Sequence, residues 1–186
     1  MSEKNTPILY KSGIGWVWGN NVIVSQEYDR DQWKHWIDAD GDCQKTRDEI
    51  LIAESEIAVT LSDDGCKVVE GRWTGPFTGE VFTKPDDVDV DHMVPLKNAH
   101  RSGGWLWSKQ KRKEYANDMS HPEHLIVVKD NANQSKGARG PGKWKPPLES
   151  YWCQYAKDWE AIKQHWGLNM VVAEAEAVQE MKATCP

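Results

Sequence analysis

"VDVDHMVPL", residues Val88 to Leu96, is the stretch on which the fold turns. Val88 and Val90 alternate with Asp89 and Asp91, the period of two that marks a half-buried strand. His92 then breaks the alternation beside Asp91, and Pro95 closes the segment. Further on, "HLIVV" (His124 to Val128) reads as a second, wholly apolar strand. Asp130 stands at an N-cap position before "NANQSKGAR", a short polar helix that Gly140-Pro141-Gly142 is expected to stop. Strand, excursion, strand, helix is an order that can carry a carboxylate, an imidazole and an amide oxygen (Asp91, His92, Asn133) to one small cavity. Neighbouring strand residues point to opposite faces. Asp91 and His92 therefore serve one cavity only if the strand bends or ends there, with Pro95 assisting.

Outward from this segment the chain organises readily. "GIGWVWGNNVIVS" predicts a hairpin, with strands at Trp16–Trp18 and Val22–Val24 around a turn at Gly19-Asn20-Asn21. "KTRDEILIAESEI" predicts a helix with Ile50, Ala53 or Glu54, and Ile57 on one side, and "GCKVVEGRW" is strand-like. After Pro95, "LKNAHRSGG" predicts a short helix ended by Gly103-Gly104. Ser108 can cap "KQKRKEYANDM", a helix broken before Pro122. From Glu149 to His165 the apolar residues Trp152, Tyr155, Trp159, Ile162 and Trp166 recur at spacings of three and four, one face of a helix that Gly167 ends. "AEAEAVQEMKAT" is a final helix. No repeat or linker divides the 186 residues, so a single domain over residues 1–186 is expected.

Composition narrows the function classes. Hydrophobic residues make up 39% of the chain, enough for a core. No apolar run is long enough to span a membrane. Net charge is −6, yet Lys97 to Lys145 holds eleven Lys or Arg against four acids, a basic middle in an acidic body that suits a polyanion-binding cleft. A solvated helix face is the alternative for "KQKRK" (Lys109 to Lys113).

The four cysteines form no C-x-x-C pair, which disfavours a zinc ribbon. Their even count and wide spacing fit two disulfides, with three pairings possible. The sequence-local pairing, Cys43–Cys66 with Cys153–Cys185, is favoured, each bond adding roughly 3 kcal/mol. Four reduced thiols are the alternative. Disulfides imply an oxidising compartment. "MSEKNTPILYKSG" has no apolar signal segment, so the expectation is a secreted or periplasmic mature chain without its signal peptide.

"DVDHMVPL" followed by "HLIVVKDNANQSKG" resembles the His-Asn-His (HNH) endonucleases, the ββα-metal superfamily, including the HNH domain of RNA-guided CRISPR nucleases. "YDRDQWKHWIDADGDCQKTRDEIL", "GRWTGPFTG", "HRSGG", "YAND" and "SKGARGPGKWKPP" extend the likeness to small, often secreted bacterial HNH nucleases, from about Tyr28 to Trp166. The resemblance implies an α+β fold: a ββα-metal core over about residues 88–140, with additional helices and the short N-terminal hairpin. It implies that Asp91 and Asn133 hold the metal and that His92 is the general base. Lys136, with Arg139, would contact substrate phosphate. His124 falls where the family often has a structural Asn, and Asp89 competes with Asp91 as a ligand.

The residue chemistry agrees with that reading. Phosphodiester hydrolysis needs an activated water and charge neutralisation at phosphorus. Mg²⁺ prefers oxygen donors, which a carboxylate and an amide supply, with Mn²⁺ as a substitute. Neutral imidazole can take a proton from water near neutral pH. The expected activity is a metal-dependent, largely sequence-nonspecific endonuclease acting as a monomer on DNA, with RNA as an alternative polymer. Two other readings compete: a secreted Trp-rich carbohydrate-binding module, which needs exposed coplanar Trp among the eleven present, and an antibacterial toxin nuclease. "DADGD" with Glu49 has the spacing of a calcium loop, but Cys43 replaces the glycine such a loop requires, and a polar turn is expected instead.

Overall fold

A computed structural model describes residues 26–186 and, before them, the backbone of three strands: β1 (Ile8–Tyr10), β2 (Gly13–Trp18) and β3 (Asn21–Ile23). β2 and β3 pair antiparallel with Trp18 opposite Asn21, as a hairpin requires. The expected turn residues Gly19 and Asn20, and the strand end at Val24, lie outside the described residues.

The architecture is α+β, with small antiparallel sheets among helices. At its centre β8 (Val88–His92) pairs antiparallel with β9 (Leu125–Lys129), in the register Asp91 opposite Ile126 and His92 opposite Leu125. α4 (Asp130–Lys136) follows β9 without a break. Val88, Val90, Leu125 and Val127 face one apolar cluster. It contains Ile50 and Leu51 from α1 (Thr46–Ala53), Val68 from β5 (Val68–Glu70) and Trp73 from β6 (Trp73–Gly75). Ile126 and Val128 face a second cluster with Tyr155, Trp159 and Ile162 of α5 (Trp152–His165) and Val178 and Met181 of α6 (Val172–Lys182). The strand pair is thus covered on both sides, which explains why residues 125–128 form an unbroken apolar run.

The remaining elements frame this centre. β4 (Thr60–Leu61) pairs with β5, and β6 pairs with β7 (Glu80–Phe82). α2 (Leu96–Arg101) begins at Pro95, and α3 (Lys109–Ala116) is capped by Ser108 Oγ, which accepts the Lys111 amide at 3.1 Å. The disulfides are Cys43–Cys66 and Cys153–Cys185, the sequence-local pairing. No helix among the described residues is long and apolar enough to cross a membrane.

Several boundaries differ from expectation, each for a local reason. α1 ends at Ala53 rather than at Ile57, which is 53% exposed. Glu54 leaves the helix axis to accept the Val127 amide at 2.8 Å on the outer edge of β9. α3 ends at Ala116 because the Asn117 side chain bonds the chain around Lys34 and Ile37. Lys129, not Asp130, is the N-cap of α4. α4 stops at Lys136, where Gly137 takes φ +54, rather than at Gly140. "DADGD" is a polar turn: Asp38 accepts the Gly41 and Cys43 amides at 2.7 and 3.1 Å, and Cys43 itself adopts φ +76.

Candidate active site

A cavity of about 360 Å³ lies at the end of β8, lined by Asp91, His92 and Asn133 together with Tyr28, Arg30, Trp36 and Lys97. The pleat sends Asp91 and His92 to opposite faces, as the alternation requires. The lining continues past the end of β8 to Pro95 and Leu96, so the cavity receives both side chains.

His92 is held from behind. Its Nε2 donates to the Ala116 carbonyl at the end of α3, at 3.0 Å, which leaves Nδ1 as the acceptor nitrogen. Nδ1 has no partner among the described residues and is not sealed from solvent. The Trp36 ring lies over the imidazole at 5.4 Å between centroids. Burial first, then repulsion from the neighbouring His124 ring when that is protonated, holds the His92 pKa well below the usual imidazole value, so the ring is neutral at pH 7. His124 is wholly buried and gives Nε2 to the Tyr115 carbonyl at 2.7 Å, while its own carbonyl accepts the Met93 amide at 2.9 Å. Burial lowers its pKa to about 4. It thus fixes the chain immediately after His92 and carries no charge near neutrality.

Asp91 meets Lys136. The ammonium of Lys136 is fully buried, touches the Asp91 carboxylate and donates to the carbonyls of His92 and Met93 at 2.9 Å each. Burial raises the Asp91 carboxyl and lowers the Lys136 ammonium, and the contact between them opposes both shifts. This corrects the expectation of a phosphate contact at Lys136: a sealed ammonium with three protein acceptors cannot reach substrate. Asp91 Oδ1 has no hydrogen bond among the described residues and is not sealed. The Asn133 amide nitrogen donates to Asp89 Oδ2 at 3.0 Å, leaving the amide oxygen without a partner among the described residues. Arg139 is exposed, with Nε on the Lys136 carbonyl at 3.2 Å, and does not line the cavity.

Trp36, Tyr28, Arg30 and Lys97 were not singled out by sequence reasoning. Trp36 is one of two non-glycine residues with positive φ among the described residues, at +54, a cost for a bulky side chain that only surrounding structure can impose. Nothing in its spacing announces that. Lys97 opens the basic window, and that charge excess was the available signal.

The tryptophans bear on the carbohydrate reading. Trp33, Trp73 and Trp159 are fully buried, and Trp107, Trp144, Trp152 and Trp166 pack partly buried against the core. Among the described residues no Trp is presented as a free platform.

Comparison with known proteins gives two findings. The sequence model for GmrSD restriction endonucleases, C-terminal domain, matches residues 44–181. A protein of Arthroderma benhamiae with the description "Uncharacterized secreted protein" is 42% identical over 158 residues, covering 85% of this chain and 76% of that relative. No solved structure matches the chain.

Proposed function

The chain belongs to the family of GmrSD restriction endonuclease C-terminal domains, of HNH nuclease type, and from this we propose that it is a secreted, metal-dependent endonuclease that hydrolyses DNA backbones with little sequence preference. The observation that carries the reading is the His92 ring, neutral, pinned through Nε2 to the Ala116 carbonyl, with Nδ1 unengaged by described residues, in a cavity that Asp91 and Asn133 also line. β8, β9 and α4 then act as the ββα-metal core, within one domain and one monomer.

The donor set fits a hard divalent ion. Asp91 Oδ1 and the Asn133 amide oxygen are unengaged by described residues, and Asp89 offers a second carboxylate against Asn133. Asp91 and Asn133 are the proposed ligands. Mg²⁺, or Mn²⁺ in its place, would neutralise charge at the scissile phosphate and stabilise the departing oxygen. His92 Nδ1 takes the proton of the attacking water, and the Ala116 carbonyl stabilises the imidazolium that results. Arg30 and Lys97 replace Lys136 as the cations facing substrate phosphate, and Arg139 contributes only from the rim. Tyr28, which lines the same cavity, offers an aromatic face to an unstacked base. The two disulfides and the described secretion of the relative support an extracellular setting.

Incubation of plasmid DNA and of a folded RNA with the protein, in Mg²⁺ or in excess EDTA, tests the proposal. Expected is nicking and linearisation of DNA only where Mg²⁺ is present. Cleavage that persists in EDTA, or none on either polymer, would overturn it.

A further inference from the structure

A second group of donor atoms lies away from the nuclease cavity. Asp118 and His121 sit on the connection between α3 and β9, and His165 is the last residue of α5. Their ligand atoms all lie within 4.8 Å of one another. His121 Nδ1 is 3.2 Å from Asp118 Oδ2, and the two imidazole centroids are 3.9 Å apart. Each histidine thus brings one ring nitrogen within reach of the Asp118 carboxylate and of the other ring, and an ion there would take the place of the His121–Asp118 hydrogen bond.

We propose that Asp118, His121 and His165 form a binding site for a borderline divalent transition ion of the Zn²⁺ type. Two imidazoles and one carboxylate suit such an ion, whereas Mg²⁺ and Ca²⁺ select oxygen donors alone. Tetrahedral bonds of about 2.0–2.1 Å place two ligand atoms about 3.3 Å apart. The Asp118–His121 pair already has that spacing, and His165, exposed at the helix end, needs only a side-chain adjustment. The Ser120 amide holds the other Asp118 oxygen at 2.9 Å, and the Asp118 side chain is only 9% exposed, so the carboxylate is oriented in advance. A cavity of about 520 Å³ adjoins Asp118 and His165 and leaves room for water as the remaining ligand. The ion clips the end of α5 to the turn leaving α3, whose Tyr115 and Ala116 carbonyls receive His124 and His92. Its position separates it from Asp91 and Asn133, so its occupancy does not depend on the nuclease reading.

The test uses the full chain freed of metal. Zn²⁺ at equimolar concentration should raise Tm while the same concentration of Mg²⁺ does not, and Co²⁺ should give the intense visible bands of a tetrahedral site. His165→Ala and His121→Ala should each weaken Zn²⁺ binding, measured by chelator competition, by well over the roughly tenfold that disturbing even an outer partner of a metal ligand costs. Asn133→Ala should bind Zn²⁺ as the parent does. His165 is exposed, so its replacement should leave the metal-free Tm unchanged. Zn²⁺ binding that survives both histidine replacements, or that disappears in Asn133→Ala instead, overturns the proposal.

Discussion

At the scale of single residues, the orientation of His92 and the burial of Lys136 carry most of the consequences. Replacing His92 by Ala should lower cleavage by about 10²–10⁴-fold, the usual worth of a general base, while metal binding followed by calorimetry persists. A general base works in its neutral form, so activity is lost as pH falls through its folded pKa. Burial sets that pKa below the ordinary imidazole value of 6.5. The acid limb of kcat/KM should therefore fall below pH 6.5, and a limb at pH 7 or above would contradict the assignment. Lys136→Met should destabilise the fold by about 3–5 kcal/mol in urea denaturation, because it leaves Asp91 buried without its partner. A surface phosphate contact would instead raise KM with no change in the urea midpoint. The residue types of this site were legible in "DVDH" and "NANQSK". The direction of Lys136 was not read, although Asn133 and Lys136 are three apart and share one helix face. A helix that presents Asn133 to a buried strand pair presents Lys136 there too.

At the scale of elements, Glu54 shows how a helix end is fixed by a strand far away in sequence. Its carboxylate accepts the Val127 amide, and burial raises its pKa from 4.5 to about 7. Between those values the folded state holds a proton that the unfolded chain has released, so stability falls as pH rises through that window. Glu54→Gln keeps an oxygen for the Val127 amide and removes the titration. Thermal denaturation at pH 5 and pH 8 should show a smaller difference for the variant than for the parent, with a gain of about 1–3 kcal/mol at pH 8. An unchanged difference would exclude Glu54 as the source. The existence of α1 and α5 was legible from apolar spacing, that of α3 from Ser108 and that of α4 from a cap placed one residue late at Asp130, but their ends were not. α1 and α3 stop where Glu54 and Asn117 find backbone partners on other elements, and such partners leave no local mark. The carbonyl that fixes the His92 tautomer is likewise 24 residues from it.

At the scale of the whole molecule, charge and crosslinking are the features most plainly written in the sequence. The basic window supplies α3 and Lys97, while Arg30 reaches the cavity from a separate acidic stretch that composition alone does not connect to it. If backbone phosphates are the main contacts, cleavage should decline steadily as NaCl is raised, with the loss in KM rather than in kcat. The paired replacement Cys153→Ser with Cys185→Ser should cost about 2–4 kcal/mol in calorimetric unfolding and loosen α6 from α5. Neither crosslink enters the β8–β9–α4 unit: one closes residues 43–66 and the other residues 153–185. Val171 and Val172, among the most exposed apolar side chains, lie inside the second ring at the start of α6. A protease that nicks the backbone there releases no fragment, since the severed C-terminal piece stays tethered through sulfur. A cut at this exposed junction would therefore leave the molecule in one covalently joined piece.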